Sequence, residues 1–240
     1  MNAQLGDSVL AILSFHKIGE PPAGAQTTPW YIPETTFRHH LHYLSTHGWE
    51  IISLDGFLRA LSEPESLPRR AALLTFDDGY KSMLDAASRC LGEFGYPSVA
   101  FIPTHFVGGY NEWDSGREPR EEICNWDDLR ELDRRRFSIQ SHGVRHESFS
   151  NLAQQKQEEE LCQSKSIIEA KLGKPVEVFA YPYGHVGTDK TALSELLKRN
   201  GYRAACLWSG GISKPPLDNR YFLARVGMLR NSDLPTLLGP

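Results

Sequence analysis

Two adjacent carboxylates, Asp77 and Asp78, end the apolar run 71–76 and are followed by Gly79. The run has the length and composition of a buried strand, so the acids fall where that strand must stop. Burying two neighbouring carboxylates unpaired carries a large desolvation penalty. They therefore need water, a base or a metal, or they cap a helix, since Asp is a good N-cap and residues 81–92 have a helical pattern. A second apolar segment, 137–141, runs into His142, with His146 four positions later. That spacing puts both imidazoles on one side if the chain coils after the strand. Neutral imidazole suits zinc, copper, iron or nickel, and one added carboxylate makes a three-ligand site with open positions. Two more runs follow the same plan: 9–15 ends in His16, and 176–181 ends in Pro182-Tyr183-Gly184. In barrels of alternating strands and helices, functional groups collect at the C-terminal ends of the strands.

The elements that must position these groups are legible as alternating patterns. Strands are expected at 9–15, 50–54, 71–76, 98–103, 137–141, 176–181, 203–208 and 222–228. Residues 36–46 place Phe37, Leu41 and Leu44 on one helical face. Ser150 or Asn151 is positioned to cap a long helix ending before Gly173, and Thr188 to cap a helix at 190–200 that Gly201 ends. This β/α alternation fits a parallel barrel or a doubly wound sheet.

The chain has 240 residues, 40% hydrophobic and 23% charged. That is ordinary for a globular protein and sufficient for one substantial core, so residues 1–240 are expected to form a single domain. A net charge of −4 offers no basic footprint for nucleic acid and little attraction to anionic membrane. Cys90, Cys124, Cys162 and Cys206 are scattered and form no Cys-x-x-Cys pair, which favours free thiols and a reducing compartment. The N-terminal apolar run leads into His16 rather than a cleavage site, and no stretch is long enough to span a bilayer. The expected location is the cytoplasm.

Taken together, the motifs resemble those of a known family. Thr75-Phe76-Asp77-Asp78-Gly79 matches the first motif of the polysaccharide deacetylases, the NodB-homology domain of carbohydrate esterase family four. His142-Gly143-Val144-Arg145-His146 resembles the second, with Gly143 where Ser or Thr is usual. Phe179-Ala180-Tyr181-Pro182-Tyr183-Gly184 resembles the third, with Ala180 in place of a common Arg. The resemblance runs from Ile12 to about Val226. The family's C-terminal Leu-x-His is missing. However, the segment from Ala11 to Ile18 resembles the start of the permuted branch that includes the poly-N-acetylglucosamine deacetylases, where a histidine similar in position to His16 serves as acid.

The resemblance implies an α/β fold, a distorted TIM-like barrel of about seven strands. It implies a metal-dependent hydrolase of N-acetyl groups on amino sugars, with an N-acetylated carbohydrate as partner. Asp78, His142 and His146 would bind one divalent ion, zinc before cobalt or nickel. Asp77 would be the general base and His16 the general acid. Pro182 and Tyr183 would lie against substrate, with the Tyr183 backbone N–H at the oxyanion. Lys17 and Arg225 are candidates to replace the motif Arg beside the base. A same-fold hydrolase of a non-sugar amide or imide, or a noncatalytic glycan-binding relative, are the alternatives.

Other residues receive plainer readings. The long polar segment 108–125 carries Trp113 and Asp114, with Trp126 after it, and loops over a barrel mouth often touch substrate. Exposed Trp can stack on a sugar ring, or simply pack the loop down. His39, His40, His42 and His47 are expected on a solvated helix surface, His105 in a structural or rim role, and Arg134-Arg135-Arg136 at a charged helix end.

Overall fold

In the computed structural model, which describes residues 8–25 and 28–239, strands and helices alternate along most of the chain. In chain order the elements are β1 (Val9–Phe15), β2 (Lys17–Ile18), β3 (Tyr31–Ile32), α1 (Glu34–Thr46), β4 (Glu50–Ile51), α2 (Leu54–Ala60), β5 (Arg70–Phe76), α3 (Ala86–Phe94), β6 (Ser98–Ile102), α4 (Trp126–Arg134), β7 (Phe137–Ser141), α5 (Gln154–Leu172), β8 (Val178–Ala180), α6 (Lys190–Arg199), β9 (Ala204–Gly210), β10 (Leu223–Gly227) and α7 (Leu234–Leu238). The hydrogen-bonded order is β1-β10-β9-β8-β7-β6-β5, and β5 pairs back onto β1 from Val9↔Arg70 to Phe15↔Phe76. Seven parallel strands thus close a barrel, with β4 joined outside the ring to the first residues of β5. This is the barrel of about seven strands that the resemblance implies. Among the described residues, no helix is long and apolar enough to cross a membrane.

Period-two alternation along the strands builds two apolar layers and then the site. Leu10 and Ile12 of β1 pack with Leu73, Phe101, Val178 and Leu223 in one buried cluster, which α2 joins through Phe57 and Leu58. The intervening Ala11 and Leu13 pack in a second cluster with helix residues such as Phe37 and Leu41. Continuing the first set along β1 and β5 leads to Ser14 and His16, and to Thr75 and Asp77. On β10 it leads from Leu223 to Arg225. Apolar interior residues therefore give way, strand by strand, to polar groups at one end of the barrel.

Several local expectations are corrected. The acids are not helix caps: Asp77 donates its backbone N–H to Phe15 O at 2.9 Å, and α3 begins only at Ala86, after a 3₁₀ turn at Lys81–Met83. The segment 50–54 is strand only at Glu50–Ile51, because Ser53 accepts from Gly56 N and starts α2. The cap of α6 is Asp189 rather than Thr188. Ser150 and Asn151 lie in a 3₁₀ turn ahead of α5 and do not cap it. His40 is buried, not solvated: its Nε2 lies 3.1 Å from Ser232 O. The cysteines, by contrast, are free as expected, with Cys90, Cys124 and Cys206 buried and Cys162 exposed.

Candidate active site

The polar end of the barrel opens into a cleft of about 280 Å³. β1 delivers His16 to it, β5 delivers Asp77 and Asp78, and the turn after β7 delivers His142 and His146. Four other residues singled out from the sequence, Lys17, Trp113, Asp114 and Tyr183, also line it. Pro182 is buried and is not a cleft-lining residue; it sets the turn that presents Tyr183.

Asp78, His142 and His146 each offer one ligand atom, and these atoms lie within 4.8 Å of one another. Asp78 Oδ1 is 3.3 Å from His142 Nε2 and 3.1 Å from His146 Nε2. Yet that oxygen is buried without a well-formed hydrogen bond among the described residues. Buried polar atoms are normally satisfied, so a carboxylate and two imidazoles that converge without satisfying one another fit a divalent cation. His142 Nδ1 lies 2.7 Å from Ala180 O. That bond fixes the tautomer whose bare Nε2 faces the cluster. Burial pushes the Asp78 carboxyl up, but His146 and His142 outweigh it and hold it well below the usual carboxylate range.

The ligand loop is held in a constrained shape. Asp78, His146 and Tyr183 are non-glycine residues in the left-handed region, with φ of 73°, 55° and 60°. Such strain persists where the surroundings over-determine it. The Glu160 carboxylate of α5 supplies part of that restraint, accepting from Val144 N at 2.6 Å and Arg145 N at 3.0 Å. It also explains Gly143, whose φ is +83° and whose added Cβ would lie 2.8 Å from Glu160 Oε2. The serine or threonine usual here would clash. Gly184 is similarly required: a Cβ would lie 2.6 Å from Trp208 N, so the turn packs directly on β9.

Asp77 is held from across the barrel. Arg225 Nη1 donates to Oδ1 at 2.8 Å and Nη2 to Oδ2 at 2.6 Å, a bidentate pair with both partners buried. Its remaining donors reach Thr75 Oγ1 and Leu207 O. Burial alone would raise the Asp77 pKa, but Arg225 and then His142 lower it, so the carboxylate stays ionised. Between the two replacements considered for the motif Arg, the structure selects Arg225, because Lys17 pairs with Glu118 instead. Replacing Arg225 by Met should leave Asp77 buried without its partner and destabilise the fold by about 3–5 kcal/mol. Urea denaturation checks this. Adding Asp77→Asn should recover much of the loss, and no recovery would mean that Arg225 acts mainly through packing.

His16 Nε2 lies 4.0 Å from Asp77 Oδ2. Its ring packs 4.7 Å from Trp30, which meets Trp208 at 5.5 Å. Burial lowers the His16 pKa, opposed by Asp78 and Asp77. On the opposite wall Trp113 lies 4.5 Å and Tyr183 4.7 Å, ring to ring, from His146. Tyr183 is 42% exposed, which leaves an aromatic face open at the rim. Trp126 packs against the core, and His105 is an exposed residue whose backbone N–H donates to Val144 O. Sequence reasoning missed Trp30, Trp208 and Glu160. Trp208 was findable, since it continues the inward set of β9 after Ala204 and Cys206. Nothing local marked Trp30 or Glu160.

The family profile described as polysaccharide deacetylase matches residues 65–205. The poly-β-1,6-N-acetyl-D-glucosamine N-deacetylase of Staphylococcus aureus is 21% identical over 202 residues, covering 81% of this chain and 67% of that protein. YxkH of Bacillus subtilis, named for the same family, is 21% identical over 194 residues, or 81% of this chain, and this chain spans 62% of its length. Among solved structures, the Streptococcus pyogenes deacetylase PplD in complex with acetate superposes with a TM-score of 0.82 at 21% identity, covering 98% of this chain and 100% of that one. IcaB from Ammonifex degensii gives 0.77 at 22% identity, covering 91% of each. At these identities the structural likeness is one of fold.

Proposed function

The chain belongs to the polysaccharide deacetylase family, and on that premise we propose that it hydrolyses the N-acetyl group of an amino sugar, with an N-acetylated glucosamine oligomer or polymer as substrate. One observation carries the reading: an ionised carboxylate, a histidine and a three-ligand cluster face a single cleft. A binding module needs the cleft walls but neither a base nor an acid.

Asp78, His142 and His146 would hold one divalent ion, zinc before cobalt or nickel given two imidazoles and a carboxylate. When bound, the ion would lower the pKa of a water and polarise the acetyl carbonyl. Asp77, kept ionised by Arg225, would take the proton from that water. The backbone N–H of Tyr183 would donate to the oxygen on which charge develops. His16 would protonate the amine, which is too basic to depart as an anion. The 4.0 Å between Asp77 and His16 supports this division, because base and acid are neighbours and the proton has a short way to travel. Trp30, Trp113, Tyr183 and Trp208 offer flat apolar area for sugar rings.

The direct test is acetate release from β-1,6-linked N-acetylglucosamine oligomers, with and without added zinc, cobalt or nickel. Small cyclic amides serve as the competing panel. Metal-stimulated acetate release supports the reading, whereas turnover of the cyclic amides alone would replace it with an amidase of the same fold. The acid is tested separately. His16→Ala should keep metal and fold but lower kcat for an amide by about 10²–10⁴-fold. An activated ester, whose leaving group needs no proton, should lose much less. Equal losses on both substrates would reduce His16 to a positioning role.

A further inference from the structure

Lys17 follows the proposed acid directly and lines the same cleft, yet its ammonium pairs with Glu118 Oε2 at 3.1 Å. Both side chains are largely buried, 3% and 11% exposed. The ammonium also lies over the rings of Tyr31 and Tyr80, 4.7 and 4.8 Å from their centroids. Lys17 and Tyr31 are register partners in the small parallel pair β2–β3. The Tyr31 hydroxyl in turn donates to Glu121 Oε1 at 2.6 Å. Two acids of the 108–125 segment are therefore tied to the strand pair beside His16.

The segment is closed at its ends and in its middle. Gly108 N donates to Cys124 O, Cys124 N to Gly79 O, and Lys81 N to Glu122 O. The Asn111 side chain donates to Pro119 O at 3.0 Å and accepts from Glu121 N at 2.7 Å. What this framework presents to the cleft is Trp113, packed on His146, and Asp114. Lysine is rarely buried unless paired, and a buried carboxylate that loses its partner must find water. Without Lys17, Glu118 would have to reach solvent, and the segment that carries it would have to shift.

We infer that Lys17 is a positioning residue: through Glu118 it seats the 108–125 segment as a fixed wall of the substrate cleft. Its contribution falls on substrate binding, a consequence that rests on the deacetylase reading. The seating itself does not.

The test uses the full chain with Lys17→Met, Glu118→Gln and the double variant, each first confirmed as folded by its melting transition. Arg117 and Arg120 are exposed within the segment and report its seating to trypsin. Both single variants should be cut there faster than wild type. The KM for an N-acetylated oligomer should rise roughly tenfold with kcat little changed, the pattern of lost uniform binding. Because the two residues act as one unit, the double variant should be no worse than either single. Unchanged tryptic cleavage in both single variants overturns the seating. A KM that rises for Lys17→Met but not for Glu118→Gln, or losses that multiply, would instead mean that Lys17 meets substrate directly. If wild type releases no acetate from any substrate, the deacetylase reading fails, and trypsin alone still decides the seating. Should Lys17→Met not fold, Glu118→Gln carries both readouts.

Discussion

Replacing Asp77 by Asn should lower turnover of an N-acetylated substrate by about 10²–10⁴-fold while leaving metal content in place. The protein should still fold but lose stability, because Arg225 keeps its buried charge without a counterion. The substitution keeps the shape of the side chain and still offers Arg225 one oxygen, but it removes the carboxylate proposed to accept the proton. The neighbouring change, Asp78→Asn, should act differently, because Asp78 Oδ1 is the oxygen that meets both imidazoles. It should weaken metal binding first and lose activity as a consequence. Metal analysis and kinetics on both variants settle the assignment. If Asp77→Asn loses the metal and Asp78→Asn keeps it, the two roles are exchanged.

Removing an imidazole should have the other large effect. His142→Ala or His146→Ala takes away one of the three proposed ligands, and metal and activity should vanish together. Disturbing only an outer-shell partner typically weakens metal binding roughly 10–100-fold, so losing a ligand should exceed that range. The two variants should also differ in detail. His142 is anchored by its bond to Ala180 O, whereas His146 Nδ1 has no such partner among the described residues. His142→Ala therefore also strands a carbonyl that accepted a hydrogen bond. Metal content after dialysis against a chelator is the measurement. Stoichiometric metal in the double variant would falsify the site.

Much of the barrel was legible because continuous apolar runs ending in polar groups are a local signal. The strands carrying His16, Asp77 and His142 were located within a residue or two, since each is a continuous buried run with a polar stop. The expected strand at 50–54 shrank to two residues because Ser53 turns the chain into α2, a cap signal that lost to the apolar pattern. The misplaced caps of α5 and α6 have a similar origin. Several neighbouring residues could serve, and backbone geometry chooses among them. His40 was misread because its partner is supplied from far along the chain: Ser232, in the turn that precedes α7, meets its Nε2.

The roles of the polar groups divide along the same line. Residue type and spacing singled out two acids, two histidines four apart, and a histidine ending the first strand. Those features are chemical and local, so the sequence by itself determined which groups were available, while the alternation left a barrel or a doubly wound sheet open and the motifs' resemblance to the family pointed to the barrel. The sequence could not say what compensates Ala180. That answer depends on β10 lying between β1 and β9, where the inward parity of Leu223 brings Arg225 to Asp77 over a separation of 148 residues. Gly143, Trp30 and the Lys17–Glu118 pair likewise acquire meaning only from what packs against them. Their partners are contributed by other segments of the closed barrel, and distances across a barrel mouth are set by strand order and register, which no single stretch of chain encodes.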